Sequence, residues 1–307
     1  MTYADKLKVL QKVTEKTQTE LAGLLGVSFP TLNSWLNAKS TPRKQHGEKI
    51  DLLYQEYTGA EKIDDSELAQ KKQQIAQLQK TFPNPLKLIM SRKDLYDSFV
   101  LELTYHTNSI EGSTFSEPEV KAVLFDNAVI PDKTVVEHQE AKNHQAALAN
   151  LFQRLNNSYE EPTMENDIKK LHSILMNGIY PNAGHYRNHA VRIAGSRVVT
   201  ANHLKIEELM NDFIKNTNKK PANVFSHLAE NHAQFEHIHP FSDGNGRVGR
   251  LLMHSIAIRH GLPPISIKRD KKQAYYTYLE RAQTKNESIF LESFICESIL
   301  QSYKLLS

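Results

Sequence analysis

The chain has 307 residues, of which 39% are hydrophobic and 24% are charged, and its formal net charge is +3. This balance is typical of a folded globular protein with one large domain or two smaller ones, and so mild a charge permits phosphate binding without implying nucleic acid. Cys296 is the only cysteine, which excludes an intrachain disulfide and fits a reducing compartment, so we expect a cytoplasmic protein. The apolar runs are too short to span a bilayer and the first residues lack a signal-peptide pattern, so we expect no membrane partner.

Residues 1–60 are predicted to form a small domain of short helices. Apolar residues recur at helical spacing, and Thr17 and Ser28 stand where N-caps belong. Glu20 follows Thr17 by three residues, as in a capping box. Residues 17–39 resemble the helix-turn-helix of phage repressors. That resemblance implies a helix that enters the major groove of DNA, and the candidate contacts are Ser28, Thr31, Asn33, Ser34 and Lys39.

The helix-turn-helix resemblance leaves two functions open for this domain. Phe29 and Pro30 stand where the repressor family usually has polar side chains, so fewer direct base contacts are expected. Residues 1–60 hold eight Lys and Arg against six Asp and Glu, a weak electrostatic footprint for DNA. The alternative is a small helical domain used for dimerisation or for docking a target protein.

The rest of the chain divides into a linker and a large domain. Residues 61–85 are rich in Lys, Gln, Asp and Glu and end in two prolines, which predicts a largely solvated helical linker. Residues 86–307 have mostly helical periodicity, so the predicted fold class is all-α. Residues 190–199 are the exception, because a Gly-Ser turn between β-branched runs predicts a small β-hairpin there.

The densest chemistry lies in residues 239–250, which read His-Pro-Phe-Ser-Asp-Gly-Asn-Gly-Arg-Val-Gly-Arg. The Gly-Asn-Gly turn precedes a helical pattern, so it lies at a helix N-terminus, where free N–H groups and the helix dipole attract an anion. Arg247 and Arg250 share a face of the first turn, and two cations there are unfavourable unless an anion arrives. His239 is the natural base, and Asp243 can supply one oxygen to Mg²⁺. The segment therefore predicts a metal-bound polyphosphate beside a general base.

Residues 239–250 match the signature of the Fic family, His-x-Phe-x-Asp-Gly-Asn-Gly-Arg-x-x-Arg, and the resemblance extends over roughly residues 86–307. It implies an all-helical enzyme that transfers AMP from ATP to a Ser, Thr or Tyr hydroxyl of a target protein, itself included, and releases pyrophosphate. By this resemblance His239 deprotonates the hydroxyl, Phe241 anchors the loop and Asp243 binds Mg²⁺. The residues implied to bind the nucleotide phosphates are Gly244, Asn245, Gly246, Arg247 and Arg250.

A second motif, Thr107-Asn108-Ser109-Ile110-Glu111-Gly112, resembles the inhibitory motif that many Fic proteins carry. Thr107 and Glu111 are four residues apart, so they share a face of a predicted helix, about residues 100–112, that Gly112 would end. By resemblance Glu111 pairs with Arg250 and disfavours the productive pose of the triphosphate. The alternative is an ordinary exposed glutamate near the end of a helix.

Residues 184–200 resemble the flap of Fic proteins, a hairpin beside the active site. An exposed hairpin edge can pair with an extended segment, so the target protein is expected to dock its hydroxyl here. Val191 and Ile193 match apolar flap positions that shield the nucleotide. Tyr275 and Tyr276 match an aromatic pair near the adenine pocket, and Gln283 stands where the family often has Asn. A purely structural hairpin is the alternative.

Three functions follow from these motifs. The first is a protein adenylyltransferase held partly off by Glu111. The second is a DNA-binding transcriptional regulator that senses nucleotide, although an intact His239 favours the enzyme because sensing needs no base. The third is a hydrolase that removes AMP from a protein. A metallohydrolase is disfavoured, because the histidines around His232 lack His-Glu-x-x-His spacing. The Fic resemblance also implies a homodimer.

Overall fold

A computed structural model of the chain describes residues 1–59, 62–158, 161–193 and 196–306. Within these ranges the protein consists of α-helices and two short 3-10 helices, and no described residue lies in a strand. The predicted all-α fold class is confirmed. No helix in the described part of the chain is both long and apolar enough to cross a membrane.

The N-terminal module has its own small core. Its helices are α1 (Tyr3–Thr14), α2 (Gln18–Leu25), α3 (Phe29–Leu36) and α4 (Lys44–Thr58). They pack around the fully buried side chains of Leu7, Leu10 and Leu32. The predicted capping box is present, because the Thr17 hydroxyl accepts the N–H of Glu20 and the Glu20 carboxylate accepts the N–H of Thr17.

The candidate DNA contacts lie at and after the start of α3. Ser28 and Lys39 are exposed. Asn33, in contrast, donates to the Gln18 side chain at 3.2 Å, and the hydroxyls of Thr31 and Ser34 are bonded to Ser28 at 2.9 Å and to Ser40 at 2.7 Å. To contact bases, these side chains would have to exchange bonds within the module for bonds to DNA.

The predicted linker contains a largely solvated helix whose thin apolar stripe packs on the large domain. It begins at residue 61, outside the described residues, and contains α5 (Asp65–Thr81). Leu68 and Ile75 are buried in the main core. Lys72 pairs with Glu292 at 2.5 Å, on a later helix. Most other residues of α5 are exposed, as its composition indicated.

Most of the remaining helices enclose one large hydrophobic core, and one of them packs in a smaller separate cluster. They are α6 (Pro85–Ser91), α7 (Lys93–Glu111), α8 (Glu117–Phe125), α9 (Val135–Asn157), α10 (Glu165–Leu175), α11 (Ile206–Thr217), α12 (Val224–Ile238), α13 (Asn245–Arg259), α14 (Lys272–Lys285) and α15 (Ile289–Lys304). The 3-10 helices are His203–Lys205 and Arg269–Lys271. All of α13 is buried except Gly246 and Arg259. This buried helix directly follows the predicted loop, so the loop leads into the core of the fold.

The N-terminal module packs against the segment that leads into α14. Lys271 lies between Glu56 of the module, at 2.7 Å, and Glu297 of α15, at 2.5 Å. Arg269 pairs with Glu15, which follows α1. Thr277 of α14 donates to the backbone oxygen of Thr58 at 3.0 Å. The module is therefore joined to the helix that carries Tyr275.

The predicted flap strands are not observed. Residues 190–193 and 196–200 have no strand assignment, and the turn at residues 194–195 lies outside the described residues. Where the prediction placed a hairpin ladder, the Thr200 hydroxyl donates to the backbone oxygen of Val191 at 2.8 Å. A side-chain bond of this kind joins the two limbs without the repeating backbone pairs that define a hairpin.

Candidate active site

The signature residues form the connection between α12 and α13. His239 ends α12 in the left-handed conformation, with φ of 50°. Gly244, with φ of 75°, is the N-cap of α13. A Cβ atom at Gly244 would lie 2.8 Å from the sulfur of Met176, so both the backbone conformation and the close packing require glycine there. The loop thus delivers the chain directly to a helix N-terminus.

Phe241 and Asn245 hold this loop in shape. The ring of Phe241 is fully buried and stacks on His172, with centroids 3.8 Å apart. The Asn245 side chain accepts the N–H of Phe241 and donates to its carbonyl oxygen, both at 2.8 Å. The predicted anchor role of Phe241 agrees with this packing. The Asn245 amide is used within the loop, so the group it can offer a phosphate is its backbone N–H.

We expect Asn245→Ala to destabilise the folded protein by about 2–4 kcal/mol, because two buried hydrogen bonds are lost and the Phe241 backbone is left unsatisfied. Urea unfolding followed by circular dichroism measures this free energy. Asn156→Ala, near the end of α9 and outside the site, is the control. A change below about 0.5 kcal/mol, typical of a neutral surface substitution, would show that the clamp contributes little.

His239 is arranged as a neutral base. Its Nδ1 lies 3.2 Å from the backbone oxygen of Glu236, and a carbonyl can only accept, so Nδ1 carries the hydrogen. Nε2 is then the nitrogen with the free lone pair. Burial lowers the pKa of His239 below its usual value, so the ring is unprotonated at neutral pH. These properties allow Nε2 to take a proton from a hydroxyl.

An anion-binding surface lies at the start of α13. The first N–H groups of this helix have no intrahelical partner, and no side chain caps them. The two arginines expected to need an anion each have a carboxylate in this structure. Arg247 pairs with Glu140 of α9 at 2.7 Å, and Arg250 pairs with Glu111 of α7 at 2.5 Å.

Glu111 occupies the part of this surface nearest to Gly246. A Cβ atom at Gly246 would lie 2.5 Å from Oε1 of Glu111, so the carboxylate lies directly against the loop. Thr107 strengthens the contact, because its hydroxyl accepts from Nε of Arg250 at 2.6 Å. Burial opposes ionisation of Glu111, but the charge and hydrogen bond of Arg250, together with the charges of Arg247 and Lys272, lower the pKa of this carboxyl. The ion pair is therefore intact at neutral pH. Helix α7 ends at Gly112 as predicted, although it begins at Lys93, earlier than expected.

Asp243 is the residue that can bring a metal to this surface. Its side chain is 62% exposed and lies 4.0 Å from Arg247. No group of three or more potential metal-ligating side chains occurs among the described residues. A single exposed carboxylate fits Mg²⁺ that arrives with phosphates, because this ion commonly binds through one or two carboxylates plus phosphate oxygens.

The predicted adenine residues are only partly accessible. Tyr275 is 1% exposed, and its hydroxyl is bonded to His232 at 2.7 Å. Tyr276 is 38% exposed, and the neighbouring Glu111 adds to burial in raising its pKa. Gln283 donates to the backbone oxygen of Ala233 at 3.3 Å, and Val191 and Ile193 are half-buried. The accessible aromatic of the pair is therefore Tyr276, which corrects the choice of Tyr275.

Four further residues shape the site, and the sequence did not identify them as functional. They are Glu140, Glu236, His172 and Arg187. His172 accepts the N–H of Gly184 through Nδ1 and therefore donates to the Asp243 carbonyl through Nε2. Arg187 is buried and donates to the His239 carbonyl at 2.7 Å. Arg187 lies within the predicted flap, residues 184–200, and this place is a signal that could have identified it. Glu140 gives no such signal, because it lies 107 residues before its partner Arg247.

Fold and site together define an all-helical domain in which a half-buried histidine stands beside a helix N-terminus that no side chain caps. Residues 162–257 match the sequence model of the Fic/DOC family. It is 34% identical over 182 residues to the protein adenylyltransferase Fic of Aedes aegypti, covering 58% of this chain and 36% of that protein. Identity to the protein adenylyltransferase Fic of Nematostella vectensis is 29% over 205 residues, covering 66% of this chain and 48% of that protein. The chain thus spans half or less of the length of these two relatives.

Solved structures show the same fold. A Fic domain containing signaling protein from Bacteroides thetaiotaomicron matches with a TM-score of 0.65 and 24% identity, covering 78% of this chain and 97% of that chain. Fic-1 from Caenorhabditis elegans matches with a TM-score of 0.67 and 22% identity, covering 94% of this chain and 84% of that chain. At these identities the likeness concerns the fold.

Proposed function

We propose that this protein is an adenylyltransferase that transfers AMP from ATP to a Ser, Thr or Tyr hydroxyl of a target protein and of itself, with release of pyrophosphate. The observation that carries the proposal is the pairing of a neutral His239, whose Nε2 is free to accept a proton, with an uncapped helix N-terminus flanked by Arg247 and Arg250. The name of the curated relatives, protein adenylyltransferase Fic, supports the same chemistry.

The reaction requires one base and several stabilisers of negative charge. His239 Nε2 takes the hydroxyl proton of the target as its oxygen attacks the α-phosphorus, and the bond from that phosphorus to the oxygen of the leaving pyrophosphate breaks. Arg250 and the N–H groups of α13 stabilise charge that develops on the phosphates. Asp243 would hold Mg²⁺, which supplies further neutralisation of the triphosphate when it is bound with ATP. The histidine then returns its proton to solvent.

Glu111 would keep this reaction slow. Its carboxylate neutralises Arg250 and lies against Gly246, where the start of α13 would receive a phosphate. ATP must therefore displace a protein carboxylate from the guanidinium before it can bind in the productive pose. The same carboxylate could orient water for removal of AMP, so a pre-modified sample should be assayed for loss of AMP as well.

Labelled ATP tests the proposal directly. We expect the Glu111→Gly protein to retain label from ATP labelled at the α-phosphate but not from ATP labelled at the γ-phosphate. Adding His239→Ala should reduce the α-label by at least about 100-fold, the usual contribution of a general base. Retention of γ-label would indicate a kinase instead. Equal α-labelling with and without His239 would show that this residue is not the base.

A nucleotide-sensing regulator that binds DNA is the second candidate. The observation that favours it is the four-helix module, in which Ser28 and Lys39 are exposed at and after α3. A gel shift with a random pool of labelled duplexes at low salt tests it. Selective enrichment that Lys39→Ala weakens would support the regulator, and retention of no duplex would argue for the docking or dimerisation role.

A further inference from the structure

Glu236 of α12 is a buried carboxyl group that the reaction scheme above leaves without a role. Glu236 is 5% exposed, and its Oε1 has no hydrogen-bond partner among the described residues. A buried carboxyl without a partner is costly to desolvate, so it calls for a physical explanation. An ordinary structural glutamate would be expected to have a cationic partner, but the nearby Arg250 bonds to Glu111 and Thr107 through Nη2 and Nε, and its Nη1 has no hydrogen-bond partner among the described residues.

The position of Glu236 ties it to the base. Its Oε2 lies 3.7 Å from Nδ1 of His239, the nitrogen that donates to the Glu236 backbone oxygen. On the opposite side the carboxyl lies against Gly249 of α13, where any Cβ atom would overlap Oε1. Glycine at 249 thus leaves the space that the carboxyl fills. The backbone oxygen of Glu236 accepts the Nδ1 hydrogen of His239, and the Glu236 carboxyl faces the same edge of that imidazole ring.

The ionisable groups around Glu236 lie on four helices. Arg250 on α13 favours its ionised form, and Glu111 on α7 disfavours it. Tyr275 and Tyr276 on α14 have raised pKa values, so both are neutral near pH 7. On α12 itself, burial lowers the pKa of His232 to about 3, so that ring is neutral as well. Burial raises the pKa of Glu236 to about 8, against the effect of Arg250, so the group ionises near physiological pH.

We propose that Glu236 is the positioning residue of the base, and that its carboxylate stabilises the imidazolium of His239 that forms when the target hydroxyl loses its proton. This inference rests on the proposed adenylyl transfer. In the step, the proton moves from the target oxygen to Nε2, the Nδ1 hydrogen stays on its nitrogen, and no proton passes to Glu236. The ring then carries one positive charge beside one negative charge. The active form is therefore neutral His239 with ionised Glu236.

Glu236→Gln in the Glu111→Gly background isolates this charge, because glutamine keeps the size and an oxygen acceptor. An opposite charge within about 4–6 Å shifts a histidine pKa by about 1–3 units, so we expect kcat to fall at least about 10-fold. The KM for ATP should change less than about twofold, since uniform binding is not altered. The kcat of the parent should also rise as pH increases through the ionisation of Glu236, and the Gln variant should lack that rise. Glu230→Gln, an exposed carboxylate on the same helix, is the matched control.

A second measurement does not depend on transfer. In an NMR titration of the otherwise unmodified protein, the His239 ring signals, assigned with His239→Ala, should shift near pH 8 as Glu236 ionises, and Glu236→Gln should abolish that shift. If the Glu111→Gly parent transfers no AMP, the proposed function fails while the titration still decides the pairing. If the parent is active but the Gln variant matches its kcat and pH profile, Glu236 has only a structural role. A His239 signal that does not respond near pH 8 would also overturn the pairing.

Discussion

Replacing Glu111 with glycine is expected to raise the rate of AMP transfer onto the protein by about 10- to 100-fold, because a hydrogen bond to a charged group contributes about 1.5–3 kcal/mol. In the resting protein Arg250 bonds to Glu111 at 2.5 Å and to the Thr107 hydroxyl at 2.6 Å. The triphosphate must replace the first of these bonds. Glycine at position 111 removes the competing carboxylate and leaves Thr107 in place.

The measurement is the initial rate of self-labelling with α-labelled ATP at equal protein concentrations. Glu15→Gly is a matched control, because Glu15, like Glu111, lies at the C-terminal end of a helix and pairs with an arginine. That arginine is Arg269, which lies away from the loop. Mg²⁺ and ATP should in addition raise the Tm of Glu111→Gly more than that of the unmodified protein, since phosphate then supplies the missing partner of Arg250. Equal rates for Glu111→Gly and the unmodified protein would show that the ion pair does not limit nucleotide binding.

The parts of the site that could be predicted from the sequence are those set by local spacing. Thr17 and Gly112 stand at the helix boundaries that their residue types favour, so α2 begins and α7 ends where expected. Residues 239–250 lie in one short loop and one helix, so their relative placement follows from the chain itself. The pairing of Glu111 with Arg250 was predicted from resemblance, since spacing alone cannot join residues 139 positions apart.

The parts that could not be predicted depend on contacts between distant segments. Glu140 reaches Arg247 only because α9 packs beside α13, and nothing near Glu140 in the sequence indicates this. Leu68 and Ile75 form an apolar stripe on α5 that the spacing reveals, but nothing in the sequence indicates that α5 packs against α15. The flap was predicted as a hairpin from β-branched residues, but an isolated two-stranded ribbon has little stability without a third strand or a covering helix.

Arg250 has two proposed roles, since it pairs with Glu111 and binds the triphosphate. Arg250→Met is expected to abolish transfer whether or not Glu111 is present. Methionine keeps much of the length of the side chain but cannot donate to a phosphate. Loss of one preorganised donor costs about 100- to 1000-fold in rate, so Glu111→Gly should not rescue the variant. The double variant is compared with Glu111→Gly by the same labelling assay, with Arg154→Met, which removes a remote pair with Asp167, as the control. Activity of the double variant at the level of Glu111→Gly would mean that Arg250 serves only to hold Glu111, and that Arg247 and the N–H groups of α13 are sufficient for the triphosphate.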